Sequence, residues 1–487
     1  MRKEKGDAPE VLLVQPPVYD FALYDLHFKP FGLMRMGKWF EDGGYRVRLV
    51  NGLDYKDSET LRLLGPVRRN PDGTGKFHRR SLSLSDPLPI RAAGGGNPGG
   101  GCEGDEETEG AAGGFELFRR RFGKRTKRYI SRYGMLPESF HGRIGKTKPD
   151  LVLVTSQMTY WYPGVREAVD TVKELFPDVP VAVGGVYASL LPEHCARTSG
   201  ADAVIQGEDI ASLKVLMEEH GLPVPSGEVP NVPLMLPGIW EDGGVLRLNR
   251  GCPFRCPYCA SARIEPVFRR GDAEEVWSTA LEMNGRYGTC NFAFYDDALL
   301  MDKGEVFLPF LEKAAQSERE FSFYLPNAVH IRYIDNETAR LMSRAGCKEV
   351  RLGYETADET SAASTAKYRP MDVPKAVEIL RRAGYTPERI ILYILAGLPG
   401  QRAEEVEGTL ENASRLGVSL SISEYSPVPG TSLWNRSVSM SAYPIKDEPL
   451  FQNNTIFPHE WDRFTRAEME RLKGEARRHN KKYRAEP

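Results

Sequence analysis

The sequence predicts an α/β protein in two parts: a doubly wound parallel sheet, then a partial (β/α)6 barrel of the TIM type. Short apolar runs alternate with helix-period segments along most of the 487 residues, as in parallel strands joined by crossover helices. The alternation breaks after residue 55 and again near residue 221, which divides the chain. After the second break come six strand–helix pairs, too few to close a regular eight-stranded barrel.

In the amino half, Val11-Leu-Leu-Val14 reads as a strand ending in the stiff turn Gln15-Pro-Pro17. Phe31 to Phe40 has helical apolar spacing and stops at Gly43-Gly44. Tyr45 to Val50 alternates as a second strand, and the pattern resumes at Asp150-Leu-Val-Leu-Val-Thr155. A helix is expected from Gly164 to about Phe176, then a strand over 179–185, a short helix near Pro192, a strand over 203–208 and a helix toward His220. The insertion, about 56–148, has a Gly- and acid-rich centre from Ala92 to Glu107 that cannot bury a core and is expected to be disordered. Phe118 to Tyr129 follows it, basic with interleaved aromatics, and reads as a solvated helix packing its aromatics on the domain, with contact to an acidic partner or phosphate as the competing reading.

Residues 221–243, rich in proline, form the expected linker between a first domain (1–220) and the barrel (244–435). Barrel strands are expected near Leu246, Phe292, Phe323, Val350, Ile391 and Ile422. The remainder, 436–487, is a helical extension in which Thr465 to His479 is an exposed charged helix with i, i+4 pairs. Lys+Arg of 65 against Asp+Glu of 67 argues against a nucleic-acid or anionic-membrane partner. The charged start lacks a signal-peptide core, no stretch reaches the apolar length of a membrane span, and free cysteines fit a reducing cytoplasm.

The chemistry concentrates in Arg250-Gly-Cys-Pro-Phe-Arg-Cys-Pro-Tyr-Cys-Ala260. Cys252, Cys256 and Cys259 stand at Cys-x3-Cys-x2-Cys spacing at the carboxyl end of the first barrel strand, the face that carries chemistry in such barrels. A closed zinc site needs four protein ligands, and no fourth Cys or His lies nearby. A [4Fe–4S] cluster on three cysteines keeps one iron without a protein ligand. Zinc or inert surface cysteines are the competing readings, and the odd cysteine count speaks against disulfides.

This spacing, with Tyr258 before the third cysteine, resembles the radical S-adenosylmethionine (SAM) superfamily. The resemblance implies that SAM chelates the open iron and that the reduced cluster cleaves it to a 5′-deoxyadenosyl radical. It further implies SAM contacts at Tyr258; at Asp296 or Asp297, standing where relatives usually carry Gly-Gly-Glu; at Gly353 and Glu355; and at Gly397, where backbone approaches the adenine. Alternation along the strand lets one of Asp296 and Asp297 face inward. Asn327 and His330 are weaker candidates, with structural roles as the competing reading.

The stretches Leu395 to Gln401 and Glu424 to Thr431 resemble one subgroup, whose members bear an N-terminal cobalamin-binding, Rossmann-like domain. That resemblance extends to the amino half. It places Gln15, Pro16, Thr155, Ser156, Thr159, Gly184, Gly185, Gly207 and Glu208 around a corrin at strand ends. Asp25-Leu-His27 begins like the cobalt-ligating Asp-x-His-x-x-Gly segment, but Pro30 occupies the glycine place. The activity implied is methyl transfer to an unactivated carbon of a small-molecule substrate, with reduced ferredoxin or flavodoxin as electron donor. Radical rearrangement, cyclisation or oxidation without methyl transfer is the second enzymatic reading. A non-catalytic iron–sulfur or corrin-binding sensor is the reading from another class.

Overall fold

A computed structural model describes residues 8–82, 130–359 and 368–483. These fall into two compact units: Met1–Leu234 with Pro444–Ile456, and Met235–Tyr443 with Phe457–Pro487.

The first unit is built on five parallel strands: β1 (Glu10–Gln15), β2 (Arg46–Asn51), β3 (Leu151–Val154), β4 (Val181–Val183) and β5 (Ala203–Val204). Their order across the sheet is β5-β4-β3-β1-β2. Val11 to Val14 are fully buried because helices cover both faces of a parallel sheet, so the run is continuous rather than alternating. Helix Phe31–Asp42 lies close on β1 through Gly37, where a Cβ would stand 2.7 Å from Leu13. Helix Tyr162–Leu175 follows β3 and buries Val165, Val169 and Val172.

The flanks of the insertion are folded. Helix Ser58–Leu64 is capped by Asp57, whose carboxylate accepts from the Thr60 amide. Strands Arg79–Ser81 and Ser131–Tyr133 join Val18–Asp20 in an antiparallel ribbon. Val18, Leu53, Phe77, Tyr133, Tyr160 and Trp161 form a small core beside it. The Gly-rich centre, Cys102 and the basic stretch 118–129 lie outside the described residues.

In the second unit all six expected strands are present: β6 (Gly244–Leu246), β7 (Asn291–Phe294), β8 (Ser322–Tyr324), β9 (Val350–Glu355), β10 (Ile390–Ala396) and β11 (Ser419–Glu424). They pair in parallel as β6-β7-β8 and β9-β10-β11. Isolated parallel bridges, Phe323 to Cys347 and Val329 to Leu352, carry the arc across the gap. Among the described residues no ladder joins β11 back to β6, so the arc is open. Helix Ala273–Tyr287 is capped by Asp272 and ended by left-handed Gly288. The carboxyl-terminal helix, Arg466–Asn480, opens with the Thr465/Glu468 capping box. It is not the wholly exposed helix its charges predict. Met469, Leu472 and Ala476 are buried, and the Asn480 side chain bonds both backbone groups of Leu420. Charge density masked an apolar stripe at helical spacing.

Candidate active site

The cysteine loop leaves β6 and is closed at its base by an antiparallel pair, Asn249 with Arg270 and Arg250 with Arg269. Gly251 turns the chain with φ of +72°, and a Cβ there would meet the carbonyls of Val267 and Glu265 at 2.8 and 2.9 Å. Cys252 and Cys256 are buried, while Cys259 is exposed. The Cys259 amide donates to the Cys256 carbonyl at 3.1 Å, and the Leu433 amide donates to Pro257 at the same distance.

Two carboxylates fix the shoulder before Cys252. Asp296, only 2 % exposed, accepts from the amides of Leu248 (3.0 Å) and Asn249 (2.6 Å). Burial pushes its carboxyl up to about 7 against the lowering pull of these two amides. Glu265 accepts from the Gly251 amide at 2.7 Å and pairs with Arg247 at 2.7 Å. Glu265 was missed from sequence, although Arg247 and Arg250 flanking a loop with one acidic residue after the cysteines were a usable signal. Both aspartates lie just past the end of β7; Asp296 is buried and Asp297 exposed. The Asn327 side chain donates to the Asp296 carbonyl at 3.1 Å, and His330 lies against Phe254 with ring centroids 4.7 Å apart.

On the opposite side of the loop, the Tyr258 hydroxyl donates to Glu355. Burial, then the Glu355 charge, holds that hydroxyl protonated far above its ordinary range. Glu355 ends β9 at a register shift beside Gly353 and has φ of +57°, a strained backbone for a residue with a side chain. Tyr368 pins this bend: its hydroxyl lies within reach of both the Tyr354 and Thr356 carbonyls, sharing its one hydrogen between them, and accepts from the Thr356 amide. Gly397 has φ of +88°, and the space beside it holds the Phe457 ring, 2.9 Å from where a Cβ would be. Its amide donates to the Gln401 side chain.

The chemistry of the donor set suits a cluster: three cysteines lie within eight residues, two buried and one exposed, and a [4Fe–4S] cluster takes each cysteine on a separate iron.

In the first unit the strand order reads 2-1-3-4-5, with its topological switch between β1 and β3. A cleft of about 20 Å³ opens there, lined by Gln15, Pro16, Thr155 and Ser156, with Phe28 and Trp161 as aromatic walls. That volume suits one water and does not enclose a larger ligand. The Gln15 Oε1 atom is buried without a hydrogen-bond partner, an acceptor held ready at the cleft. Gly185 follows β4 at φ of +91° and lets the Ser156 carbonyl approach to 2.2 Å of where a Cβ would stand. The Gly184 amide bonds Val154. Gly207 donates to Ser189, and Glu208 pairs with buried Arg35 at 3.3 Å; neither lines the cleft. Thr159 is buried, with its hydroxyl donated to Gln452. His27 is also buried, and Asp25 is occupied by the Phe28 amide and Arg69. Trp161 and Phe28 were not foreseen as walls; the aromatic run after Thr159 was the available signal.

A three-cysteine loop on an open parallel barrel, in one chain with a switch-point sheet, defines a two-domain, cofactor-dependent protein. Residues 246–413 match the radical SAM superfamily, and residues 129–216 match the B12 binding domain. The chain thus carries a radical SAM domain and a B12-binding domain. It is 24 % identical over 362 residues to an uncharacterized methyltransferase of Pyrococcus horikoshii, covering 66 % of this chain and 74 % of that protein. It is 20 % identical over 375 residues to cytidylyl-2-hydroxyethylphosphonate methyltransferase of Streptomyces wedmorensis, covering 62 % and 69 %. The fold matches that of the radical SAM methyltransferase TsrM from Kitasatospora setae, solved with cobalamin and a [4Fe-4S] cluster bound. That match has a TM-score of 0.60 and 15 % identity, over 96 % of this chain and 91 % of the other.

Proposed function

We propose that this chain is a cobalamin-dependent radical SAM methyltransferase acting on an unactivated carbon of a small molecule. The observation that carries the reading is one chain holding both the open three-cysteine loop and the B12-binding sheet with its switch-point cleft. The methyltransferase names of its relatives support it. Bound at these sites, the cluster would supply the electron that cleaves SAM, and cobalamin would carry the methyl group.

Cys252, Cys256 and Cys259 hold the cluster in this reading. Asp296 and Glu265 set the loop that presents the cysteines. Glu355 offers SAM a carboxylate beside Tyr258, with Gly353 keeping the approach open and Asp297 and Gly397 as further contacts. Gln15, Pro16, Thr155 and Ser156 form the corrin-facing edge in this reading, with Gly184 and Gly185 beside it and Gly185 keeping the Ser156 loop close. Reduced ferredoxin or flavodoxin is the proposed electron donor and the cytoplasm the proposed location. No described helix is long and apolar enough to cross a membrane.

The test is anaerobic reconstitution with methyl-labelled SAM. Expected are about four irons per chain, 5′-deoxyadenosine on reduction, bound corrin, and label in the product. Deoxyadenosine without methylated product would redirect the reading to rearrangement or oxidation. Intact SAM would leave a sensor.

A further inference from the structure

Pro444–Ile456 belongs to the first unit, although the residues on both sides of it belong to the second. Ile445, Phe451, Gln452 and Ile456 are fully buried, and two buried polar side chains in the segment bond residues 159–162 directly while a third reaches them through Asp20. Gln452 Oε1 accepts from the Thr159 hydroxyl while its Nε2 donates to Ile445. Glu448 accepts from the Tyr162 hydroxyl at 3.1 and 3.2 Å and from the Leu450 amide at 2.9 Å. Asn453 donates to Asp20 Oδ1 at 2.9 Å, and the other oxygen of Asp20 accepts from the Trp161 indole at 2.7 Å. Trp161 walls the switch-point cleft, and Ser156 lines it three residues before Thr159. A surface strap needs no buried polar contacts, since each must match its partner or cost the desolvation of both. Two such contacts on one turn, with a third relayed to it through Asp20, are the pattern of a part that fixes geometry.

We propose that the strap 444–456 is a positioning element for the corrin site, with Gln452, Asn453 and Glu448 holding the 159–162 turn so that Trp161 and Ser156 keep the cleft in shape. This rests on the B12 reading of the first unit. It makes corrin affinity depend on residues nearly three hundred positions downstream of the wall they hold.

The test uses full-length chain freed of corrin, with hydroxocobalamin as probe, and measures its dissociation constant, iron content and melting temperature. Gln452→Met and Thr159→Val remove the two ends of one contact with little change of volume. Each is expected to weaken hydroxocobalamin binding about tenfold to a hundredfold with iron content unchanged, and Thr159→Ser is expected to restore wild-type affinity. Loss in Thr159→Val with none in Gln452→Met would make Thr159 a direct contact and overturn the strap's role. So would weaker corrin binding matched by equal loss of iron and melting temperature, which marks a general loss of fold. Wild type that binds no hydroxocobalamin would instead bring down the B12 reading and this proposal with it.

Discussion

Asp296→Asn separates a residue that shapes the cysteine loop from one that grips the cofactor. The wild-type carboxylate receives two consecutive backbone amides in a site closed to water. Asparagine keeps one acceptor and turns an NH₂ group toward the other amide, so one buried N–H loses its partner. That costs about 1–3 kcal/mol, which lowers the melting of a unit this size by roughly 2–10 °C. The pH dependence has a fixed sign. The folded carboxyl titrates near 7, above its ordinary value of 3.8. The stability it contributes is therefore complete below about pH 4 and is lost as pH rises through 7. Asparagine does not titrate, so the gap between variant and wild type should narrow from pH 6 to pH 8. The assay is calorimetry across that range, with iron per chain after anaerobic reconstitution; the variant should melt lower and hold less iron. Unchanged melting and iron with weakened SAM binding would refute the loop role and return Asp296 to the cofactor.

Gly251→Ala should cost more, because the left-handed backbone disfavours a side chain by about 1–2 kcal/mol and the new methyl meets two carbonyls at 2.8 and 2.9 Å; iron content after reconstitution checks it. Glu448→Gln should flatten the pH profile of the first unit. Burial raises the Glu448 carboxyl from 4.5 to about 7, so the wild type should lose up to about 3 kcal/mol as pH climbs through 7, a loss the variant lacks in pH-dependent melting. Gly185→Ala should destabilise the first unit and weaken hydroxocobalamin binding, since its methyl would stand 2.2 Å from the Ser156 carbonyl; a melt with corrin titration reads both.

The strands that organise each unit were legible because their signal is local. Val11 to Val14 and the six barrel strands are apolar runs bounded by turns, and each lies where that pattern puts it. The cysteine loop was legible because three soft ligands at fixed spacing have few other uses. Other features depend on distant partners. Strands of two or three residues such as Arg79–Ser81 have no period to read. Gln452 and Asn453 look like ordinary surface amides until Thr159 and Asp20 are placed beside them. The sequence left open whether Asp296 or Asp297 would face inward, and nothing in their neighbours' identities said that the partners of Asp296 would be backbone amides rather than an ammonium group.

An iron left open by its three cysteines should bind SAM directly, and electron paramagnetic resonance of the reduced, anaerobically reconstituted protein measures this. The cluster signal should shift when SAM is added and be absent in Cys256→Ala. A colourless protein, or a cluster signal indifferent to SAM, would contradict the assignment.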